Sequence, residues 1–234
     1  MEKVRDHDEF YLKEDRKNNP KEYFKFIYNI SRKYVDSLES CNILDVGCAT
    51  GDFLYFLNSV FKNSKFTGID VMDKLLDKAK DEVEDVEFIN ADIYTGRNLP
   101  DDKYDVIYMS GVHSIFDEYE PWIDNLMNFK KDTGRIYIFG IFNPEEIDVL
   151  IRSRKSSDSG PWQVGWNIFS KKTIANYINK KGNQCKFYSF NIDIDIDKKE
   201  DDPLRSWTFK IENEQREVIN GLQILHKFYL LEII

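Results

Sequence analysis

The amino-acid sequence predicts an α/β fold in which a doubly wound, mostly parallel sheet carries helices on both faces. Short apolar segments alternate with segments whose apolar residues recur every three or four positions, as strands alternate with amphipathic helices. A glycine-containing turn follows the first of these apolar segments. With 234 residues, of which 41% are hydrophobic, the chain is long enough for one large domain with a buried core.

The predicted elements alternate regularly over the first 142 residues. A helix is predicted from Pro20 to Leu38, because its apolar residues have helical spacing and proline suits a first turn. The next predicted elements are a strand at 42–46, a helix at 53–61, a strand at 65–70, a helix at 75–79, strands at 86–90 and 104–109, a helix at 121–129 and a strand at 135–142. This alternation is typical of a parallel sheet.

The last third departs from this alternation. Residues 143–168 are predicted to contain a helical stretch through Ile147 and Ile151, then a polar segment and an aromatic run. A connection of this length usually has a binding task. A helix is predicted from Ser170, its N-cap, to Lys181, and Gly182 terminates it. Further strands are predicted at 185–192 and 226–233.

Composition excludes several classes of protein. Lys and Arg number 33 against 42 Asp and Glu, and the resulting net charge of −9 argues against nonspecific binding to nucleic acid or anionic lipid. The start of the chain is too charged for a signal peptide, and no apolar run could span a bilayer. We therefore expect a cytoplasmic protein with no nucleic-acid and no membrane partner.

No metal site is predicted from the cysteines or from the acidic residues. Cys41, Cys48 and Cys185 lack the spacing of metal or redox sites, which fits a reducing compartment. Residues 192–199 alternate isoleucine with aspartate, but no second ligand cluster is evident. This segment is interpreted as a solvated sheet edge that could prolong the preceding strand.

The most informative segment is the turn between the first strand of the sheet and the next helix, with the sequence Ile-Leu-Asp-Val-Gly-Cys-Ala-Thr-Gly from Ile43 to Gly51. A dinucleotide site would place a glycine where Ala49 stands, which weakens but leaves open the alternative of an NAD-dependent enzyme. Asp45, Gly47 and Gly51 in this order resemble the first motif of class I S-adenosylmethionine-dependent methyltransferases.

The resemblance continues through four motifs from about residue 43 to residue 142. Asp70 ends the second strand, where an acid binds both ribose hydroxyls, and Asp92 follows the third strand, where the family binds adenine between residues such as Val71 and Ile93. The segment Tyr-Asp-Val-Ile-Tyr-Met at 104–109 matches the fourth-strand motif, whose end faces the transferred methyl group.

This resemblance implies a Rossmann-like sheet with an antiparallel C-terminal strand, and S-adenosylmethionine as cofactor with S-adenosylhomocysteine as product. The cofactor-binding residues that it implies are Asp45, Gly47, Cys48, Gly51, Asp70, Val71, Asp92, Ile93 and Ser110. Each has a structural alternative: the glycines permit a tight turn, the acids cap helices, and Cys48 is a small filler.

His113 is the predicted catalytic residue. It follows the fourth strand, and an imidazole with a pKa of about 6.5 could take a proton from a hydroxyl acceptor as general base. The structural alternative is that His113 packs against its loop. His7 and His226 are weaker candidates.

In small-molecule methyltransferases of this kind, the N-terminal segment and the insertion after the fifth strand close over the acceptor. Here these are residues 8–11 and 143–166, which carry aromatic and basic side chains suited to a sugar ring and a phosphate or carboxylate. The predicted acceptor-binding residues are Tyr11, Phe116, Arg152, Trp162 and Trp166, with Phe10, Arg154 and Lys155 nearby. A metal-assisted mechanism would ask for clustered ligands, and only Asp117 stands near.

The C-terminal tail contains the segments Pro-Leu-Arg-Ser-Trp-Thr at 203–208, Asn-Gly-Leu at 220–222 and Phe-Tyr-Leu at 228–230. In these segments it is similar to tails of methyltransferases from bacterial surface-polysaccharide gene clusters. This resemblance implies an O-methyltransferase (EC 2.1.1.-) whose acceptor is a sugar or a phosphorylated precursor of a surface glycan. The alternatives are N-methylation of an amino sugar or other small molecule, and a non-catalytic S-adenosylmethionine-binding module. A monomer or a homodimer is expected.

One domain is expected over residues 1–234. Its predicted parts are an N-terminal helical lid (1–40), a cofactor-binding core (41–142), an acceptor-site insertion (143–169) and a C-terminal helix with strands (170–234).

Overall fold

The computed structural model describes residues 11–13, 16–157, 159–211 and 215–234. In chain order its elements are α1 (Glu22–Val35), β1 (Cys41–Val46), α2 (Asp52–Val60), β2 (Ser64–Asp70), α3 (Asp73–Glu82), β3 (Val86–Asn90), β4 (Tyr104–Ser110), α4 (Glu120–Phe129), β5 (Lys130–Asn143), β6 (Arg152–Ser153), β7 (Gln163–Val164), β8 (Phe169–Ser170), α5 (Lys171–Lys180), β9 (Cys185–Phe190), β10 (Trp207–Lys210), β11 (Arg216–Ile219) and β12 (Phe228–Ile233). A short 3-10 helix, His113–Ile115, follows β4.

The central sheet confirms the predicted fold class. Within the described ranges it has eight strands, seven of them in the order β3-β2-β1-β4-β5-β12-β9, while β8 pairs with the end of β5. Strands β1 to β5 are parallel, and β12 runs antiparallel to both β5 and β9. The strand order reverses between β1 and β4, and in sheets of this kind ligands bind beyond the carboxyl ends at such a point.

Helices cover both faces of the sheet. Ile27 of α1 and Leu57 of α2 belong to the apolar core on one face, whereas Trp122 of α4 and Ile178 of α5 belong to the core on the other. All four side chains are fully or almost fully buried. The predicted N-cap of α5 is confirmed, because the hydroxyl of Ser170 accepts a hydrogen bond from the backbone N–H of Thr173.

The helix predicted through Ile147 and Ile151 is wrong. Residues 144–151 form bends and an isolated bridge, and β6 and β7 then form a small two-stranded sheet. The side chain of Asn143 bonds both Ile147 O and Glu145 N, so it binds backbone groups that a helix would need. Ile147 is 61% exposed, and its helical spacing from Ile151 therefore does not reflect a buried face.

The C-terminal part differs from prediction in two places. Residues 192–199 do not prolong β9, which ends at Phe190, and two of their aspartates, Asp193 and Asp195, form ion pairs with Arg216 instead. Strands β10 and β11 form an antiparallel pair that the sequence did not predict. No helix in the part of the chain described here is long and apolar enough to cross a membrane.

Candidate functional site

A cleft with a volume of about 310 Å³ opens at the carboxyl edge of the sheet. It is lined by residues at the carboxyl ends of β1 to β4 and by residues just before and at the start of α1. The predicted residues that line the cleft are Tyr11, Asp45, Gly47, Cys48, Asp70, Val71, Asp92, Ile93, Ser110 and Phe116. Residues at four separate strand ends thus meet in one site, as the motif spacing predicted.

The turn after β1 requires glycine at position 47. Gly47 has a φ of +73°, and a Cβ there would lie 2.2 Å from Cγ2 of Val112, in the loop after β4. The backbone N–H groups of Gly47 and Cys48 both donate to the carbonyl of Ile69 in β2. The turn is therefore held against β2 while its other side meets the β4 loop. Gly51 does not line the cleft; it is the N-cap that precedes α2, with a φ of +77°.

Asp45, near the end of β1, is a buried acid at the cleft wall. Burial, with a smaller contribution from the charge of Asp70, raises the pKa of Asp45 to about 8. A cation bound beside it would favour the ionised carboxylate. The site thus fits a positively charged group, and the ammonium of S-adenosylmethionine is the group that the sequence resemblance assigns to Asp45.

Asp70, at the end of β2, organises the cleft. One carboxylate oxygen accepts from the backbone N–H of Ala49 at 2.9 Å, and the other accepts from that of Met72 at 3.0 Å. These bonds join the first turn to the loop before α3. Each carboxylate oxygen can accept a second hydrogen bond, so this arrangement fits a ribose as well as a turn.

Asp92 closes the turn that follows β3. One oxygen of its carboxylate accepts from the backbone N–H groups of Tyr94 and Thr95, and the other accepts from the Thr95 hydroxyl at 2.8 Å. Residues 93–96 form a turn and not a helix, so the carboxylate stabilises this turn instead of capping a short helix, which was the structural alternative from the sequence. Ile93 is buried, Val71 is exposed, and both line the cleft.

The end of β4 contributes a polar group that lacks a partner among the described residues. The hydroxyl of Ser110 is buried without such a partner, and it lines the cleft. Gly111 follows with a φ of +75° and turns the chain toward Val112, Ile115 and Phe116. The ring of Phe116 stacks on Tyr94 at 4.8 Å between centroids.

His113 does not reach the cleft, which corrects its predicted role as general base. Its side chain is fully buried, its Nε2 lies 3.1 Å from the carbonyl oxygen of Ile141, and its ring stacks on Phe142 at 4.5 Å. Burial lowers the pKa of His113 to about 4. The physical reason is that β5 has no side chain at Gly140, and the ring occupies that space.

Three predicted acceptor residues of the insertion also lie outside the cleft lining. Arg152 forms an ion pair with Asp117 at 2.6 Å, and the 57% exposed Trp162 lies under the guanidinium of Arg154. Trp166 has a φ of +58° and is half-buried. The insertion instead supports the β4 loop through Asn167, whose side-chain amide donates to the carbonyl of Phe116 and to Asp117.

Sequence reasoning missed the residues before and at the start of α1. Lys21, Tyr23 and Phe24 line the cleft beside Tyr11, which belongs to a short 3-10 turn at 11–13. Their position at the first turn of a predicted helix was the available signal. His7 and Phe10 lie outside the described residues. Among the residues that the structure describes, no cluster of three His, Cys, Asp or Glu side chains could hold a metal ion.

The sheet order, the glycine turn and the acids at successive strand ends define a class I S-adenosylmethionine-dependent methyltransferase, with S-adenosylmethionine as its cofactor. The sequence profile of the methyltransferase domain matches residues 37–191. The chain belongs to this family.

Known relatives act on different acceptors. Malonyl-acyl carrier protein O-methyltransferase 2 of Ilyobacter polytropus is 32% identical over 149 residues, a match spanning 62% of this chain and 56% of that relative. A tRNA (guanine-N(7)-)-methyltransferase of Prochlorococcus marinus is 28% identical over 213 residues, 87% of this chain and 91% of the relative. Among solved structures, the match to the DhpI-SAM-HEP complex covers 100% of this chain and 99% of the matched chain, with a TM-score of 0.58 and 11% sequence identity.

Proposed function

We propose that this protein transfers a methyl group from S-adenosylmethionine to an oxygen of a small acceptor, of the sugar or phosphorylated class. The observation that carries the proposal is the cleft itself. It joins the acids of β1 to β3 to a mostly aromatic and apolar wall at the end of β4 and the start of α1. A wall of this kind excludes water from a reacting centre and holds an acceptor in line.

Each part of the cofactor would have its own strand end. Asp45 would hold the ammonium group, Asp70 the ribose hydroxyls and Asp92 the adenine amine, with Val71 and Ile93 beside the ring. Gly47 and Cys48 form the turn beneath, and Ser110 offers a hydroxyl at the end of β4. When bound, the cofactor supplies a methyl group on a sulfonium, and the chain's own residues orient the acceptor toward it.

The proposed division of the chain follows from this assignment. The cofactor-binding core is residues 41–142, and the described part of the N-terminal segment supplies acceptor-side residues. Residues 143–169 act by supporting the β4 loop. The proposed context is the synthesis of a bacterial surface polysaccharide, on the tail resemblance alone. N-methylation of an amino sugar, or cofactor binding without turnover, are the other outcomes that the acceptor experiment separates.

A macromolecular acceptor is the second candidate. The match to the relative named as a tRNA methyltransferase spans most of both chains. The relatives therefore do not support the expectation, drawn from the sequence, that this protein has no nucleic-acid partner. Two observations favour a small acceptor over a nucleic acid. The net charge is −9, and Lys21 is the one lysine or arginine among the described residues of the cleft lining.

Two measurements test the proposed function. Calorimetry should detect binding of S-adenosylmethionine and S-adenosylhomocysteine but not of NAD. Mass spectrometry should then detect a methylated product among nucleotide sugars, phosphate esters, small carboxylates, amino sugars and tRNA incubated with the cofactor. Tight NAD binding without a response to S-adenosylmethionine would contradict the assignment of the site, and a methylated tRNA as sole product would favour the second candidate.

A further inference from the structure

We infer that Asn167, in the insertion after β5, is a positioning residue for cofactor binding, because it holds the ring of Phe116 at the adenine end of the cleft. The adenine end is the part of the cleft beside Asp92 and Ile93, so the inference rests on the cofactor placement of the proposed function. It also changes the role of Phe116, which the sequence assigned to the acceptor. The contacts that carry it run through the β4 loop, residues 111–117.

The β4 loop crosses the cofactor half of the cleft. Val112 lies against the turn after β1, where a Cβ at Gly47 would stand 2.2 Å from its Cγ2. Further along the loop, the ring of Phe116 stacks on Tyr94 in the turn after β3, with the centroids 4.8 Å apart and the rings inclined by 11°. Since β1 and β2 separate β4 from β3 in the sheet, the loop reaches across two strands. Val112, Phe116 and Tyr94 all line the cleft.

The stacked pair lies beside the residues assigned to adenine. Tyr94 follows Asp92 and Ile93 in the chain, and its backbone N–H donates to Asp92 Oδ1 at 2.8 Å. Its phenol donates to Glu118 at 3.3 Å, so this tyrosine is bound both to the β3 turn and to the chain after the β4 loop. Aromatic rings held in this position can pack against a flat adenine. The position of Phe116 therefore affects how well the cleft holds the cofactor.

Asn167 uses both donors and the acceptor oxygen of its side chain to hold the loop. The amide nitrogen donates to the carbonyl of Phe116 at 2.8 Å and to Oδ1 of Asp117 at 3.0 Å. The amide oxygen accepts from the backbone N–H of Ile151 at 2.7 Å, and the backbone N–H of Asn167 donates to the carbonyl of Ser114. The side chain is fully buried, so loss of its amide would leave these groups without water to replace it.

An ion pair from the insertion reinforces the same contact. Nη2 of Arg152 lies 2.6 Å from Oδ2 of Asp117, whereas Asn167 binds the other oxygen of that carboxylate. Arg152 also donates to the carbonyl of Ile151, whose N–H is bound by Asn167. The end of the β4 loop is thus bound to two separate parts of the insertion.

The test is a double-mutant cycle on the binding of S-adenosylhomocysteine, measured by calorimetry. Phe116→Ala and Asn167→Ala should each weaken binding about tenfold. Because Asn167 acts through the ring of Phe116, the double variant should also bind about tenfold more weakly than wild type, whereas two independent effects would give about 100-fold. Adenosine should lose affinity by the same factor in Phe116→Ala, because it contains the adenine without the amino-acid part of the cofactor.

Two matched variants are controls for a general loss of stability. Asn220 is as buried as Asn167 and binds backbone groups of a turn in the C-terminal part of the chain. Asn220→Ala should lower the melting temperature and leave cofactor affinity unchanged. Arg152→Met should weaken binding about two- to fivefold, because its ion pair is partly exposed. Lys172→Met removes an exposed ion pair between Glu146 of the insertion and α5, and should leave cofactor affinity unchanged.

The inference would be overturned if Asn167→Ala lowered the melting temperature without changing cofactor affinity, or if the effects of the two variants multiplied. Unchanged adenosine binding in Phe116→Ala would also overturn it, since the ring would then serve the acceptor. If Asn167→Ala does not fold, Arg152→Met replaces it in the cycle, and an unchanged affinity in that variant would overturn the inference. Failure of the wild-type protein to bind S-adenosylhomocysteine would instead contradict the proposed function.

Discussion

Cofactor affinity should rise with pH because of Asp45. This buried acid has a pKa of about 8, so most molecules hold it protonated at neutral pH and below. A ligand that carries an ammonium group binds the ionised form, and binding must then release the proton. Asp45→Asn removes the titration while it keeps the size of the side chain.

The expected change in cofactor affinity follows from the difference between the pH and the pKa of Asp45. Each pH unit below 8 costs about 1.4 kcal/mol to ionise the acid, which is a factor of ten in affinity. At about pH 6 the cost is about 2.7 kcal/mol, so the dissociation constant should be about 100-fold larger than its limiting value. Asp45→Asn should bind more weakly than ionised wild type and should show no such slope.

Calorimetry with S-adenosylhomocysteine between about pH 6 and pH 7.5 measures both quantities. Titrations in two buffers with different heats of ionisation give the number of protons released, which should approach one per ligand. A dissociation constant that does not change over this range, without proton release, would refute the reasoning. A slope of the same size in Asp45→Asn would assign the titration to another group.

Three further variants test the rest of the site. Asp70→Ala should weaken cofactor binding about 10- to 100-fold by calorimetry and lower the melting temperature, because the N–H groups of Ala49 and Met72 lose their acceptor. Gly47→Ala should destabilise the fold by about 1–3 kcal/mol in urea unfolding, because its φ is positive and its Cβ would meet Val112. His113→Ala should cost about 2–4 kcal/mol of stability but leave cofactor affinity nearly intact, and the wild-type rate should show no inflection near pH 6.5.

Each of these variants has a control or a contradicting result. If cofactor affinity did not change in Asp70→Ala, Asp70 would have only the structural role of holding the turn. Gly182→Ala also changes a glycine with positive φ but meets no neighbouring atom, so it isolates the backbone strain from the clash at Gly47. An imidazole-like inflection in the wild-type rate that disappears in His113→Gln would restore the role of base.

The sheet was predictable because its signal is local. Each of β1 to β4 is a short segment bounded by a turn or a helix, and β5 is apolar from Ile136 to Phe142, although its polar first residues, 130–134, were not predicted. The alternation of such segments with helices determines a parallel sheet. The failures lie where side chains bind backbone instead. Asn143 prevents the helix predicted through Ile147, and Arg216 of β11 pairs with Asp193 and Asp195, which lie outside any strand. Contacts of this kind join residues that are not related by helical or strand spacing, so the sequence pattern does not predict them.

The cofactor half of the site was predictable for a related reason. Asp45, Asp70 and Asp92 each follow or end a strand, and parallel strands bring their carboxyl ends to one edge. The acceptor half depends on how the chain before α1 folds across this edge, and on which way the β4 loop turns its side chains. His113 lies near the cleft in sequence but points beneath it, whereas Lys21 lies far from the motifs in sequence and lines the cleft.

The space under the β4 loop limits how this sequence can diverge. A Cβ at Gly140 would stand 2.1 Å from Cε1 of His113, so a side chain at one position excludes the ring at the other. A Gly140→Ala exchange is therefore tolerable only in a chain that has already lost the ring, and the two positions are expected to be replaced in a fixed order during evolution. Libraries built to change acceptor choice through this loop should vary positions 113 and 140 as a pair.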